Sequence, residues 1–131
     1  MAHNPQNLEV VRRAFALALT VHRLADEYTA AMARVSPGMR AQLLRAVDSI
    51  ALNLTEGTGH DSPANAATFC TTAIASCNDV ELQLRLASAL EVIPSTKDYI
   101  VDEVIAVRRL IYGFRKYVTS RPSTSPTPGQ R

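Results

Sequence analysis

Apolar residues recur along this chain with the alternating spacing of four and three residues that is typical of amphipathic α-helices. The pattern is interrupted at residues 36–38, 57–63 and 94–95, where serine, proline and glycine are concentrated. It therefore predicts four helices and no strand. Their apolar stripes are Val10, Ala14, Leu17, Val21, Leu24, Tyr28 and Ala31; Leu43, Val47, Ile50 and Leu54; Ala66, Cys70, Ala73, Cys77, Val80, Leu84 and Ala87; and Ile100, Val104, Val107, Ile111, Phe114 and Val118.

Residues at the chain's first and last helical segments predict how those helices begin. Asn4 is expected to cap the first helix ahead of Pro5, because proline needs no N–H partner at the first position. This helix is expected to run to about Ala33. Ser95, followed three residues later by Asp98, resembles a capping box and predicts the start of the fourth helix.

The two middle helices carry similar signals at their ends. Ser36 and Ser62 each stand directly before a proline, so each is expected to cap the helix that follows it. Gly57 is expected to end the second helix, because glycine readily adopts the left-handed conformation of a helix C-terminus.

The short connections between the four helices predict the architecture. Neighbouring helices joined by short loops pack antiparallel, so residues 1–119 are predicted to form an all-α, up-down-up-down four-helix bundle. Residues 120–131 are rich in proline, serine and threonine and have no apolar anchor. They are predicted to form a disordered tail.

Composition limits the classes of protein to which the chain can belong. Its 131 residues suit one domain, and a hydrophobic fraction of 47% suffices for a packed core. A net charge of +2 does not by itself indicate nucleic-acid binding. No apolar run approaches the ~20 residues of a membrane span, and the N-terminus does not resemble a secretion signal. A cytoplasmic protein without a membrane partner is expected.

The two cysteines, Cys70 and Cys77, lie seven positions apart on the predicted third helix. Their Cα atoms are therefore about 10 Å apart, which exceeds the ~7 Å limit for a disulfide. The chain has three histidines and no CxxC pair, so zinc is not expected. Both thiols are predicted to be buried and reduced, and no cofactor is implied.

A polar row follows the predicted second helix opposite its apolar stripe. We interpret this row as a hydrogen-bond network that locks the helix to its neighbours; the alternative is a surface that is presented to a ligand. Glu81, about 40° from the centre of the third stripe, is predicted to be partly enclosed and to pair with Arg45. The predicted structural network comprises Gln42, Arg45, Ser49, Asn53, Glu56 and Glu81.

Basic residues are concentrated in the second half of the predicted fourth helix. Their position complements the helix dipole, which is a structural explanation of the cluster. The functional alternative is contact with the phosphates of RNA or DNA. The candidate contact residues are Arg108, Arg109, Arg115 and Lys116.

The second helix resembles the signature of a bacterial family, the 23S rRNA intervening-sequence or S23-like proteins. That signature reads Gln-hydrophobic-x-Arg-Ala-x-x-Ser-Ile-x-x-Asn-hydrophobic-x-Glu-Gly, and the family's acidic residue in the third helix corresponds to Glu81. The similarity extends over about residues 7–119 and includes Leu8-Glu9-Val10. The matching signature residues are Gln42, Leu43, Arg45, Ala46, Ser49, Ile50, Asn53, Leu54, Glu56 and Gly57.

This resemblance implies an up-down bundle that assembles into a ring, commonly a homopentamer. It also implies a similarity in architecture to the accessory proteins of diversity-generating retroelements, which are pentameric rings that engage nucleic acid and a reverse transcriptase. No catalytic residues are attributed to the S23-like proteins. Ala51 stands where the family often has proline, Thr58 where it often has an aromatic residue, and residues 60–63 are less basic than usual. These differences weaken the expectation of RNA binding more than that of the fold.

Three functions are compatible with these patterns. The first is a non-catalytic homo-oligomer that binds nucleic acid or a protein partner through repeated basic surfaces. The second is a structural or protein-interaction module whose basic residues are only solvated. The third, an enzyme, has little support, because the Glu-x-x-His pairs of di-iron bundles are missing and Asp48, Glu56 and Glu81 have better explanations as paired acids.

Overall fold

The computed structural model describes residues 5–59 and 62–120, with side chains from residue 9 onward. These residues form five α-helices and one short 3-10 turn, and the described ranges contain no strand. The predicted cap Asn4 and most of the predicted tail, residues 121–131, lie outside these ranges. The helices are α1 (Pro5–Glu27), α2 (Thr29–Val35), α3 (Met39–Thr58), α4 (Pro63–Ala89) and α5 (Tyr99–Ser120).

The four long helices pack around one core. Helix α3 packs against α1 and α4, α4 also packs against α5, and α5 also packs against α1. The predicted apolar stripes are confirmed as the core: all their residues are buried except Tyr28 and Ala31, which are half-buried against it. The α4 stripe consists mostly of small residues, so it leaves room for larger side chains from its neighbours.

The first predicted helix is interrupted at Tyr28, so its expected continuation to Ala33 is wrong. The hydroxyl of Thr29 donates to the carbonyl of Ala25 at 2.7 Å and to that of Asp26 at 3.2 Å. The backbone leaves the helical region at Tyr28, with φ −113° and ψ 25°, and this residue separates the two helices. Helix α2 then runs from Thr29 to Val35.

The start of α3 also differs from the prediction. Ser36 does not cap this helix; Gly38 takes the N-cap position with a φ of 92°, a left-handed value that glycine adopts without a steric penalty. The corresponding prediction for α4 is confirmed, because the Ser62 hydroxyl accepts a hydrogen bond from the backbone N–H of Asn65 at 3.3 Å. Pro63 then occupies the first turn of α4.

Gly57 lies inside α3 rather than at its end, so the predicted C-terminal role of this glycine is wrong. The helix continues to Thr58, and Gly57 is buried where α3 meets α4. A Cβ atom on Gly57 would lie 3.1 Å from the Cβ of Phe69 and 3.4 Å from the carbonyl oxygen of Ala66. The missing side chain therefore allows the two helices to approach closely.

The C-terminus of α4 is closed by a Schellman motif that has Glu91 in place of glycine. The N–H of Val92 donates to Ala87 O at 2.8 Å, and the N–H of Glu91 donates to Ser88 O at 3.0 Å. The predicted capping box is wrong, because Asp98 accepts from the Ser88 hydroxyl at 3.0 Å while residues 95–97 form the 3-10 turn.

Replacing Glu91 by glycine is expected to stabilise the protein. Glu91 has a φ of 58°, a conformation that an L side chain rarely adopts and that glycine adopts freely. We expect Glu91→Gly to raise the free energy of unfolding in urea by about 0.5–1 kcal/mol, whereas Glu91→Ala serves as the control and brings no gain. A glycine variant no more stable than the alanine variant would contradict this account of the motif.

Candidate functional site

Two serines and an asparagine join α3 to α4 in the outer part of their interface. The Asn53 amide donates to the backbone carbonyl of Ser49 at 2.8 Å and to its hydroxyl at 3.0 Å. The Ser76 hydroxyl of α4 donates to the Ser49 hydroxyl at 2.9 Å. Ser49 therefore connects the two helices, and Ser76 is a member of this network that the sequence reasoning missed.

The remaining members of the predicted row lie farther out on α3. The Gln42 side chain accepts from the Gln83 amide of α4 at 3.0 Å. Arg45 and Glu56 are exposed, and Arg45 forms no hydrogen bond or ion pair within the described ranges. The structure thus brings Ser49 and Asn53 together and leaves Arg45 apart from them. A polar groove of about 420 Å³ runs along this interface, lined by Gln42, Arg45, Ala46, Ser49, Ser76, Asp79, Leu82 and Gln83.

Glu81 pairs with two arginines, and neither of them is Arg45. Arg108 of α5 donates to Glu81 Oε1 at 2.7 Å, and Arg85, one turn along α4, donates to Oε2 at 2.8 Å. These hydrogen bonds, that of Arg108 first, hold the pKa of Glu81 below its usual value. The predicted Arg45–Glu81 pair is wrong, because Glu81 faces α5 whereas Arg45 lies on α3.

The four basic candidates on α5 divide into two pairs. Arg108 is held by Glu81 and by the Asn78 side chain at 2.9 Å. Arg115 donates to the Thr71 hydroxyl at 3.1 Å, and its guanidinium lies 5.0 Å from the centre of the Tyr112 ring. The other two, Arg109 and Lys116, are exposed, and Tyr112 lies between them on the same outer face.

An apolar groove lies between α1 and α3. Phe15 and Leu52 stand on its rims with 61% and 67% of their surfaces exposed, and Leu19 is also exposed. At one end His22 Nε2 and Asp48 Oδ1 are 2.8 Å apart. We call this feature the α1–α3 groove; it encloses about 360 Å³ and is lined by Phe15, Ala18, Leu19, His22, Asp48, Ala51 and Leu52.

A second exposed apolar surface follows the outer face of α4. Leu82, Leu86 and Leu90 are spaced by four residues, and Leu82 is 65% exposed. We call these three residues the α4 ridge. The signal was present in the sequence, because leucines at i, i+4 and i+8 outside the core stripe share one helix face. Contiguous exposed apolar residues on a folded protein mark interaction sites.

The two cysteines are free and buried, as predicted. Burial raises the pKa of Cys70 to about 11 and that of Cys77 to about 12, so both are protonated at neutral pH. In the part of the chain that the structure describes, no three His, Cys, Asp or Glu side chains are grouped so that they could hold a metal ion. The same residues include no helix long and apolar enough to cross a membrane.

Comparisons with known proteins support the fold and the family. The model of the 23S rRNA-intervening sequence protein family matches residues 6–113. A crystal structure of a protein with unknown function from the S23 ribosomal protein family of Bacteroides thetaiotaomicron VPI-5482 is similar, with a TM-score of 0.71 and 21% identity. The similarity covers 85% of this chain and 98% of that one. No curated protein matches the sequence. Because the family model matches well over half of its residues, this chain belongs to the 23S rRNA-intervening sequence protein family.

Proposed function

We propose that this protein is a non-catalytic cytoplasmic assembly unit that binds further copies of itself. Its long helices α1, α3, α4 and α5 form an antiparallel up-down bundle, and the bundles assemble into a ring of five, the arrangement that the sequence resemblance implies. The pairwise packing of these four helices around one core supports the bundle.

The observation that carries this proposal is the exposure of large apolar side chains on two separate surfaces. The α1–α3 groove and the α4 ridge together leave six phenylalanine and leucine side chains exposed to solvent. Burying a leucine side chain is favourable by about 1.5–3 kcal/mol relative to leaving it exposed. Association of copies removes this apolar area from water, which explains why a small domain carries so much of it.

The pairing of its charged groups supports a role without catalysis. Glu81, the most enclosed of the predicted network's acids, is held ionised between two arginines. A general acid or base instead needs a pKa near the working pH. The two thiols are buried and protonated, which is the opposite of an activated nucleophile.

The mass of the protein in solution tests this proposal. Light scattering coupled to size exclusion at micromolar concentration is expected to give five times the chain mass of 14.3 kDa. A different multiple would retain the self-association and overturn the ring of five. A mass of one chain at all concentrations up to 100 µM would overturn the proposal as a whole.

A second candidate function, binding of RNA or DNA, is favoured by the outer face of α5. Arg109, Tyr112 and Lys116 are exposed at positions i, i+3 and i+7, so two cations flank an aromatic ring. Such a face pairs with phosphates and stacks on bases, and a ring repeats it several times. Arg108 does not contribute to this face, because Glu81 and Asn78 hold its guanidinium.

Filter binding of rRNA fragments across a salt series tests this second candidate. Wild type is expected to bind at 50 mM salt and to weaken steeply as salt rises. Arg109→Glu with Lys116→Glu is expected to lower affinity at least tenfold. Arg23→Glu with Arg34→Glu, which changes the charge equally at exposed sites on α1 and α2, is the matched control. No binding at 50 mM salt, or equal losses in both variants, would contradict it.

A further inference from the structure

The α1–α3 groove and the α4 ridge have complementary shapes. The floor of the groove is formed by two small residues, Ala18 and Ala51, and its rims by the larger Phe15 and Leu52. Small residues between large ones form a hole of the kind that accepts a branched side chain from a facing helix. The ridge offers leucines at successive turns of one helix, which are suitable knobs for such holes.

The lengths of the two surfaces also match. From Leu82 to Leu90 the α4 ridge rises about 12 Å, at ~1.5 Å per residue. Along α1 the groove extends from Phe15 to His22, which is about 10 Å on the same measure. Two or three consecutive leucines of one helix therefore span the whole groove.

One pair of oppositely charged side chains stands beside these two surfaces. Asp48 stands at the end of the groove with its carboxylate partly exposed and only one oxygen directed at His22. Arg85 lies beside Leu82 and Leu86 on α4, is largely exposed, and uses only its Nε on Glu81. Asp79 also stands beside Leu82, so the ridge carries both signs, but an Arg85–Asp48 pair can form only between the two different surfaces.

The geometry points to a head-to-tail interface in which the α4 ridge of one copy fills the α1–α3 groove of a second copy. This inference rests on the proposed self-association and assigns its two faces. The occupant is a copy of this chain because the chain carries both halves of the contact, and the exposure of Leu82 places it outside its own groove. When each copy uses its ridge on one neighbour and its groove on another, the contact repeats from copy to copy and forms a ring where the rotation closes.

Mixing two assembly-deficient variants tests this interface. Leu82→Glu with Leu86→Glu removes the ridge and keeps the groove, whereas Phe15→Glu with Leu52→Glu removes the groove and keeps the ridge. Each variant alone is expected to have the mass of one chain, and their equimolar mixture the mass of two chains, because only one intact pair of faces remains. Val35→Glu with Tyr99→Glu adds the same charge at exposed apolar sites outside both surfaces and is expected to assemble as wild type.

The outcomes separate this inference from the proposed function. If wild type assembles but the mixture stays at the mass of one chain, or if either double variant assembles normally, the head-to-tail interface is overturned and self-association stands. If wild type itself has the mass of one chain, both are overturned. Circular dichroism of each variant establishes that its helices are intact before the masses are compared.

Disulfide crosslinking provides an independent measurement that does not depend on disrupting the assembly. A chain with Leu52→Cys mixed with a chain with Leu86→Cys, under an added oxidant, is expected to give the mixed dimer in at least tenfold excess over either homodimer. Crosslinking through the native cysteines is expected to be low, because Cys70 and Cys77 are buried. Equal yields of homodimers and mixed dimers would overturn the head-to-tail interface.

Discussion

Replacing Gly57 by leucine is expected to destabilise the protein by about 3 kcal/mol, because α3 and α4 have no room for the side chain. Even a single added Cβ would lie 3.1 Å from the Cβ of Phe69, closer than ordinary van der Waals contact. The midpoint of thermal unfolding is expected to fall by roughly 10 °C. Circular dichroism at 222 nm during heating measures this change.

A series of substitutions at position 57 distinguishes close packing from the capping role that the sequence indicated. If Gly57 were a left-handed cap, asparagine would be the best-tolerated replacement, because it adopts that conformation readily. Close packing predicts instead that stability falls with side-chain volume from alanine to asparagine to leucine. Asparagine that is more stable than alanine would contradict the packing account.

Gly113 provides a control position at which an added side chain is expected to raise, rather than lower, the free energy of unfolding. It lies inside α5, and a Cβ there would meet no atom within 4 Å. We expect Gly113→Ala to raise the free energy of unfolding by about 0.5–1 kcal/mol, because alanine favours the helix more than glycine does. Glycine is therefore required at position 57 by a neighbouring helix, and not at position 113.

The contrast between these two glycines shows how far the sequence predicts the fold. The four-three spacing identified most of the core, because burial of one face is imposed on each helix separately; Ala25, Met32 and Ile74 are buried outside the predicted stripes. The closeness of two helices depends on both partners. Gly57 belongs to α3 and Phe69 to α4, and no spacing within either helix reveals that they meet.

Helix ends were predicted less well than helix faces, for a local physical reason. Serine before proline caps α4 at Ser62, yet the same pair at Ser36 does not cap α3, where Gly38 turns the chain instead. A hydroxyl can bond its own helix, the next helix or a turn, and these choices differ by about 1 kcal/mol. Tertiary packing decides among them.

The two interaction surfaces also differ in how far the sequence predicts them. The helical spacing of Leu82, Leu86 and Leu90 could be read from the sequence, because one helix carries the whole ridge. The α1–α3 groove could not, because it combines Phe15 and Leu19 of one helix with Leu52 of another. Surfaces that one helix carries are predictable from periodicity, whereas surfaces shared by two helices require their relative axial position.

Glu81 illustrates this limit and leads to a test at acid pH. Its partner Arg85 lies four positions along the same helix, a spacing that predicts an ion pair directly, and the sequence reasoning overlooked it. Its other partner, Arg108, lies on α5 and could not be identified without knowing how α5 is placed against α4. Together the two arginines leave Glu81 20% exposed and lower its pKa.

Replacing Glu81 by glutamine is expected to destabilise the protein by on the order of 1 kcal/mol at pH 7, since Arg108 then loses its carboxylate partner. A lowered folded-state pKa means that the ionised carboxylate stabilises the folded protein above the unfolded value of 4.5, and that this contribution is lost as the pH falls through the folded-state pKa. The difference between wild type and Glu81→Gln should therefore be full at pH 6–7 and shrink progressively below pH 4.5.

Urea unfolding of both proteins from pH 7 to pH 3 measures this dependence. Glu103→Gln is the matched control, because Glu103 is exposed on α5 and forms no ion pair within residues 9–59 and 62–120. That variant is expected to follow wild type within about 0.3 kcal/mol at every pH. A stability difference between wild type and Glu81→Gln that stays constant down to pH 3 would contradict this account, because the charge of the carboxylate would then contribute nothing to stability.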